Sequence, residues 1–407
     1  MARGCHRDDA VTTKVSAIRF VAWFGMVSAA GDFVYEGARS VIGPFLAHFG
    51  ATAAVVGLVT GIGEATALVF RLFTGRLADR TGKPWPQTIL GYAMTMVFVP
   101  LLSLSGGLTT ASVLYNGERF GKAVRTPARD IMLAHASAAT GRGKAFGLHE
   151  ALDSAGGLLG PLLFAAVLAL GASYRVGFAL LTIPGLVALV ILFRLRAAVP
   201  DPTEYDPSAQ VSDAKKLRLD THLPGMFWLY SAFSAATMLG FSTWAVLAFH
   251  LTKQHVVATS VVPILYAVSL AIAGIAAFLF GRVYDRVGMR GLIVVSPLAA
   301  LIPWLSFSTS VTAVVVGAVV WGATVGVHES TMRAAVTDLV PANRRGAGFG
   351  TYTAIYGVAW LAGAAIIGVL YSHGRTVVGL TVDSVQVVAL LLFLLVLART
   401  RSAAGRT

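Results

Sequence analysis

Cysteine is nearly missing from this chain: its 407 residues include one, Cys5. An internal disulfide and a cysteine metal cluster are therefore excluded. Charge is scarce as well, at 13% of residues against 56% hydrophobic. A water-soluble globule cannot bury that much apolar surface, since even a large one leaves much of its chain near water. Acidic residues number 19 against 32 basic, a net charge of +13. In a soluble chain that excess would suggest nucleic acid. Here no basic stripe is interleaved with aromatics, so nucleic-acid binding is not expected. No G-x-x-x-x-G-K-S/T segment occurs, which argues against direct use of ATP. No short apolar stretch with a small-residue cleavage site opens the chain, so the first apolar run is expected to be an uncleaved anchor.

What is present is a series of long apolar runs, with mean hydropathy +0.74. A spanning helix needs roughly 20 such residues, and about twelve fit this length. The expected helices lie at 18–47, 52–77, 87–105, 109–135, 145–170 and 174–196. Six more follow at 223–251, 257–282, 291–307, 311–338, 346–371 and 376–398. Residues 197–222 carry Pro200, Pro202 and Pro207 and read as a linker, with a short interfacial helix over 210–219. The reading is an all-α membrane protein of twelve transmembrane helices. Residues 1–196 form one six-helix bundle, 197–222 the cytoplasmic linker, and 223–407 a second bundle. Lys and Arg concentrate between runs on one side. That places both termini in the cytoplasm and the chain in the cell membrane; Arg175, Lys253 and Arg375 are outer exceptions.

Two repeats relate the halves as pseudo-symmetric copies. Gly75-Arg76-Leu77-Ala78-Asp79-Arg80-Thr81-Gly82-Lys83 returns as Gly281-Arg282-Val283-Tyr284-Asp285-Arg286-Val287-Gly288-Met289-Arg290. Arg142-Gly143-Lys144-Ala145-Phe146-Gly147 returns as Arg345-Gly346-Ala347-Gly348-Phe349-Gly350. The first repeat reads as a charged loop that latches the halves, with Gly75, Asp79, Arg80, Gly82, Lys83, Arg129, Asp285 and Arg286 as its residues. An Asp there can pair with an Arg or face a helix N-terminus.

Six plus six helices with a doubled G-x-x-x-D-R-x-G resemble the major facilitator superfamily over essentially the whole chain. Pro84 departs from its second basic position. Arg119 matches the arginine of the family's fourth-helix motif, which implies proton coupling, although Lys122 and Ala123 replace the usual Gln and Gly. Gly156, Gly160 and Pro161 match a G-x-x-x-G-P segment typical of exporting antiporters. Phe164-Ala165 replaces its glycine pair. Arg125–Asp130 and Arg142–Gly147 together resemble a bacterial subgroup of that superfamily.

Charges inside apolar helices cost at least ~2.5 kcal/mol each, so they face a cavity or a partner. Asp32 and Glu36 share a helix face, and Arg39 can meet Glu36. Glu64 stands alone in helix 2. Arg119 needs a carboxylate, for which Asp32, Glu36 or Glu64 would serve, while adjacent Glu118 should point to another face. These five (Asp32, Glu36, Arg39, Glu64 and Arg119) are the candidate coupling network. His149, Glu150 and Asp153 make H-E-x-x-D, which lacks the second His of a zinc protease, so no metal is expected. His149 and Asp153 could relay protons, or Asp153 could pair with Lys122 or Arg125. Glu329 and Arg333 read as an i,i+4 pair. Tyr352, Tyr356 and Trp360 fall on one helix face and, with Trp244, are the candidate substrate wall.

The expected function is secondary active transport by alternating access, as a proton-driven exporter of a small amphipathic organic molecule. The proton gradient stands in place of a cofactor, the lipid bilayer surrounds the chain, and the protein is a monomer. Proton-coupled uptake of a metabolite or organic anion, bound at Arg39 or Arg119, is the first alternative. A membrane enzyme or sensor on the same fold is the second, and no convincing nucleophile supports it.

Overall fold

In hydrocarbon every backbone N–H and C=O must find its partner within the chain, and helices meet that demand. The computed structural model describes residues 15–206, 223–341 and 344–404, and no strand occurs among them. Ten stretches among the described residues are long and apolar enough to cross a membrane. One of them, Val261–Ser306, contains two helices in succession. Large apolar side chains such as Leu90, Ile183, Phe278 and Leu391 are exposed, which suits lipid rather than water.

The first half comprises α1 (Ala17–His48), α2 (Ala53–Val69), α3 (Arg71–Thr81), α4 (Pro84–Leu101), α5 (Leu108–Thr140), α6 (Arg142–Ala169), α7 (Tyr174–Leu180) and α8 (Thr182–Ala198). The second comprises α9 (Gly225–Leu239), α10 (Trp244–Lys253), α11 (Val261–Val287), α12 (Val295–Ser306), α13 (Val311–Glu329), α14 (Thr331–Leu339), α15 (Arg345–Leu370) and α16 (Arg375–Ala404).

Several expected single helices are broken. Pro184 lacks an N–H at the start of α8, and α7 ends just before it. The span expected at 223–251 opens between α9 and α10. There the Ser242 carbonyl, freed by the break, accepts from Trp321 Nε1 at 2.8 Å. The span expected at 311–338 breaks at Ser330, whose hydroxyl donates to the Gly326 carbonyl at 2.7 Å.

The charged repeat is not a loop. Its first copy is the end of α3 and its second the end of α11. In each, the closing glycine takes a left-handed φ, +60° at Gly82 and +62° at Gly288, where a Cβ would be strained. The repeat therefore marks the same helix terminus twice. The start of the expected linker is pinned to the first half. Trp85 Nε1 donates to the Val199 carbonyl at 3.1 Å, and the Tyr205 hydroxyl donates to the Val15 carbonyl at 2.7 Å. The helix expected over 210–219 lies outside the described residues.

The two halves meet backbone to backbone at the end away from the repeats. A Cβ on Gly43 of α1 would strike the Ala245 carbonyl of α10, and one on Gly57 of α2 the Ala364 carbonyl of α15.

Candidate functional site

The site is built on three helices of the first half that carry charge in an apolar frame. On α1, Asp32, Tyr35, Glu36 and Arg39 fall within two turns. Glu64 comes from the middle of α2. The face of α5 supplies Glu118, Arg119, Lys122, Arg125 and Arg129. Small residues let these helices close together. Gly63 of α2 faces the Arg119 stem and the Tyr115 ring.

A chain of ion pairs crosses the site. Arg119 Nε donates to Glu118 Oε2 at 2.7 Å, and Arg119 Nη1 to Glu64 Oε1 at 3.2 Å. The same Glu64 oxygen takes Arg39 Nη2 at 3.0 Å. Arg39 Nη1 lies 3.6 Å from Glu36 Oε1, and the Tyr266 hydroxyl of α11 donates to Glu36 Oε2. The chain thus starts in α5, passes through α2 and α1, and ends in the second half. Glu36, Glu64, Glu118 and Arg119 are all buried. Of the three carboxylates expected for Arg119, Glu64 is the one that takes it. Glu118 corrects the expectation that it would face elsewhere: both side chains are long enough to curl together from adjacent positions.

A second group sits one turn toward the repeats. Asp32 Oδ1 is 3.7 Å from Arg125 Nη2, and Arg125 Nη1 donates to Thr95 Oγ1 at 2.8 Å. The Arg125 guanidinium lies 4.7 Å from the Tyr92 ring centre. Ser28 joins the Tyr92 hydroxyl at 2.8 Å and His149 Nε2 at 3.0 Å. Asp153 is 4.0 Å from Arg129, not paired with Lys122 or Arg125 as expected, and Arg129 also holds Asp130 at 3.0 Å. His149, Glu150 and Asp153 bring one ligand-type atom each within 4.8 Å of one another. His149 is thus tied to α1 and α4, while Asp153 belongs to the Arg129 cluster.

Lys122 differs from its neighbours. Its ammonium lies 3.6 Å from the centre of the Tyr35 ring, and no carboxylate is within 4.0 Å of it among the described residues. The same ring faces Arg119 at 4.6 Å. Sequence reasoning noted Lys122 only as a departure from a motif and as a possible partner of Asp153. The signal available was its place three residues after Arg119, on the same face. Tyr35 and Tyr266 left no signal, because neutral tyrosines show no partner in a sequence.

The residues expected as a substrate wall lie together on one aromatic face of α15. Tyr352, Tyr356 and Trp360 are buried, with ring centres 6.0 and 5.9 Å apart in sequence order. Arg39 of the first half lies 5.8 Å from the Trp360 ring, so the wall and the ion-pair chain touch. His328 Nδ1 meets the Tyr356 hydroxyl at 3.1 Å. Trp244 is committed to contact between the halves. Its Nε1 donates to the Ser40 carbonyl at 3.2 Å, and its ring packs on Tyr266 at 4.9 Å. Glu329 and Arg333 form no ion pair within 4.0 Å among the described residues, since the break at Ser330 removes the i,i+4 register.

At the repeat end Thr74 Oγ1 donates to the Ala123 carbonyl at 2.7 Å. Gln87 Nε2 bridges the Thr74 and Val124 carbonyls at 2.8 and 3.1 Å. These bonds fix α3 against α5 just before Asp79. Gly75 faces Pro127. Asp79, Arg80, Gly82, Lys83, Asp285 and Arg286 are exposed or partly exposed, and none enters an ion pair among the described residues. Elsewhere α6 packs closely on α1: a Cβ on Gly156 would strike the Ala29 carbonyl, and one on Gly160 the Phe33 carbonyl. Gly157 lies against the Glu36 stem. The G-x-x-x-G-P segment with Pro161 is therefore what brings α6 against the carboxylate-bearing helix.

The family model described as Major Facilitator Superfamily matches residues 23–364 and 245–407. An uncharacterized protein of Mycobacterium tuberculosis is 44% identical over 387 residues, covering 95% of each chain. An uncharacterized MFS-type transporter of Methanocaldococcus jannaschii is 24% identical over 355 residues, covering 85% of this chain and 87% of that one. Among solved structures, a POT family transporter in complex with a thioalcohol-conjugated peptide superposes with a TM-score of 0.76 at 13% identity, over 94% of this chain and 96% of that one. With a helical frame made for a bilayer, a charged core between its halves and these relatives, the chain belongs to the major facilitator superfamily and is a multi-pass membrane transporter, not an enzyme.

Proposed function

We propose that the protein is a proton-coupled secondary transporter that moves a small amphipathic organic molecule by alternating access. The two helices within Val261–Ser306 count separately, and α5, too charged to register by hydropathy, also spans. That gives twelve spans in two six-helix halves. The repeats lie on the cytoplasmic face with both termini, in the cell membrane.

One observation carries the reading: buried Glu36 holds an arginine of its own half and a tyrosine of the other. An ionised Glu36 accepts a charge-assisted bond from Tyr266 and draws the outer ends together. A proton on Glu36 cancels the charge behind both contacts, so the outer face loosens. Protonation thus bears on which face is open, which is the requirement for coupling. On the cytoplasmic face Asp79 and Arg80 serve as the latch that engages in the opposite state, with Asp285 and Arg286 as its counterpart.

Export in exchange for protons is the direction supported by α6, whose Gly156 and Gly160 seat it on α1 beside Glu36. A second reading, proton-coupled uptake, is favoured by Phe164. It is fully buried against Phe178, at 5.0 Å between ring centres, where the exporter-like pattern has glycine. Proteoliposomes with an imposed pH gradient and a panel of solutes test all of this. Export predicts accumulation in the acidic compartment and uptake in the alkaline one, each lost with Glu36→Gln. Solute movement that ignores the gradient would refute proton coupling.

A further inference from the structure

The cations of the central site are not equivalent. Arg39, Arg119, Arg125 and Arg129 each have a carboxylate within 4.0 Å. Lys122 has none among the described residues and rests on the Tyr35 ring. Its side chain is only partly buried. A lysine is a compact charge with three donors, suited to a carboxylate or phosphate.

The unmatched hydrogen-bonding atoms around it are mostly donors. Arg119 Nη2, Arg125 Nε and Trp360 Nε1 are buried with no acceptor in the structure, and these atoms can only donate. Arg119 is 1% exposed and Trp360 7%. They occupy one site: Trp360 lies under Arg39, Arg39 and Arg119 share Glu64, and Arg119 and Lys122 share the Tyr35 ring. The unmatched carboxylate atoms among the described residues there are Glu118 Oε1, on the residue already bonded to Arg119, and Asp153 Oδ1, on the residue beside Arg129. Buried donors without acceptors are costly, and a ligand that brings acceptors relieves that cost.

We infer that the cargo is a small organic anion whose carboxylate or phosphate binds Lys122, while its further acceptors face the donors of Arg119 and Trp360. This names the cargo of the site proposed above and rests on that site being the transport site. It also moves the anion from Arg39 or Arg119, which carboxylates already occupy, to Lys122. Direction follows from charge. Asp32, Glu36, Glu64, Glu118 and, from α6, Asp153 are the carboxylates facing this region, with Arg39, Arg119, Arg125, Arg129, Tyr35 and Tyr266 around them. A proton on one carboxylate and an anion at Lys122 offset each other in a low-dielectric site, so each favours the other's binding. Proton and anion then travel together, which selects the uptake reading.

The test uses the full chain in proteoliposomes, acidic outside. The external solutes are hippurate, phthalate and glycerol 3-phosphate as anions, hippuramide and uridine as uncharged solutes, and agmatine as a cation. Mass spectrometry reads what accumulates inside. At least one anion is expected to accumulate, with hippurate preferred over hippuramide. Lys122→Gln should lower anion uptake about tenfold or more, while Lys122→Arg, which keeps the charge, retains a measurable part. Gradient-driven movement of agmatine or the uncharged solutes in place of the anions would overturn the anion assignment and leave proton-coupled transport standing. So would wild-type anion uptake in a monodisperse Lys122→Gln protein. Movement of none of the six under the gradient would overturn proton-coupled transport and the anion assignment with it.

Discussion

Removing one oxygen from Tyr266 should shift the protein between its two faces. The Tyr266 hydroxyl is the second half's contact with buried Glu36, and it closes the chain of ion pairs that begins at Glu118. Tyr266→Phe keeps the ring, which packs on Trp244 and Trp321 at 4.9 and 6.0 Å, and deletes only the donor. A hydrogen bond to a charged group contributes about 1.5–3 kcal/mol. If the outward-open state lacks this bond, its ratio to the outward-closed state should rise roughly 10- to 140-fold, at 1.4 kcal/mol per decade. Spin labels at Thr52 and Gln254, both exposed at the outer ends of opposite halves, report that opening as a distance distribution. Cys5→Ser removes the one native thiol. Glu36→Gln should produce a shift of the same sign, because the amide keeps an acceptor but loses the charge that held Arg39. The double variant should be less than additive, since both changes break one contact. A Tyr266→Phe population within twofold of wild type would refute the assignment of Glu36–Tyr266 as the outer latch.

Other changes probe the rest of the site. Glu64→Gln leaves Arg39 and Arg119 without their shared carboxylate. It should lower stability by about 3–5 kcal/mol, read as a fall in thermal midpoint in detergent. Gly156→Ala would push α6 off α1 and should cost about 1–3 kcal/mol together with transport. Gly143→Ala, with open space around it, should change neither. Asp79→Asn alters an exposed side chain and should leave the midpoint within the equivalent of about 0.5 kcal/mol. Its transport rate should nevertheless fall if the residue latches the cytoplasmic face. A rate equal to wild type in proteoliposomes would remove Asp79 from that role.

The helical frame was legible because a bilayer enforces hydrophobic length, and no competing signal exists at that scale. Breaks within spans were less legible. The α7–α8 break has a proline beside it. The α9–α10 break has its freed Ser242 carbonyl answered by Trp321 from α13, a partner that sequence order hides. The charged repeat was given the wrong shape. Its charges suggested a loop, yet the helix ends only where Gly82 and Gly288 turn left-handed. Of the site, the buried charges were readable because each is costly in an apolar helix. Their pairing was readable in part: Arg39–Glu36 and Arg119–Glu64 were among the expected pairs, while Glu118–Arg119 was not, since side chains that long reach each other from positions that backbone geometry sets about 100° apart.

The repeats and the charges answer different questions, and their mismatch bears on mechanism. Both halves keep the same glycine-capped helix end, so the frame that rocks is duplicated. The ion-pair chain is not duplicated. Asp32, Glu36, Glu64 and Arg119 all lie in the first half, and the second meets them with Tyr266 on Glu36 and Trp360 on Arg39. A change of charge in one half is therefore felt by the other through a few neutral donors, Tyr266 foremost, with no second chain of ion pairs at the site among the described residues. Rearranging a neutral donor costs less than parting a buried ion pair, which on losing one partner costs about 3–5 kcal/mol. Confining the charged groups to one half lets them keep their partners while the halves move. On the proposed cycle, the parts exchanged are the proton, the cargo and a small number of hydrogen bonds between the halves.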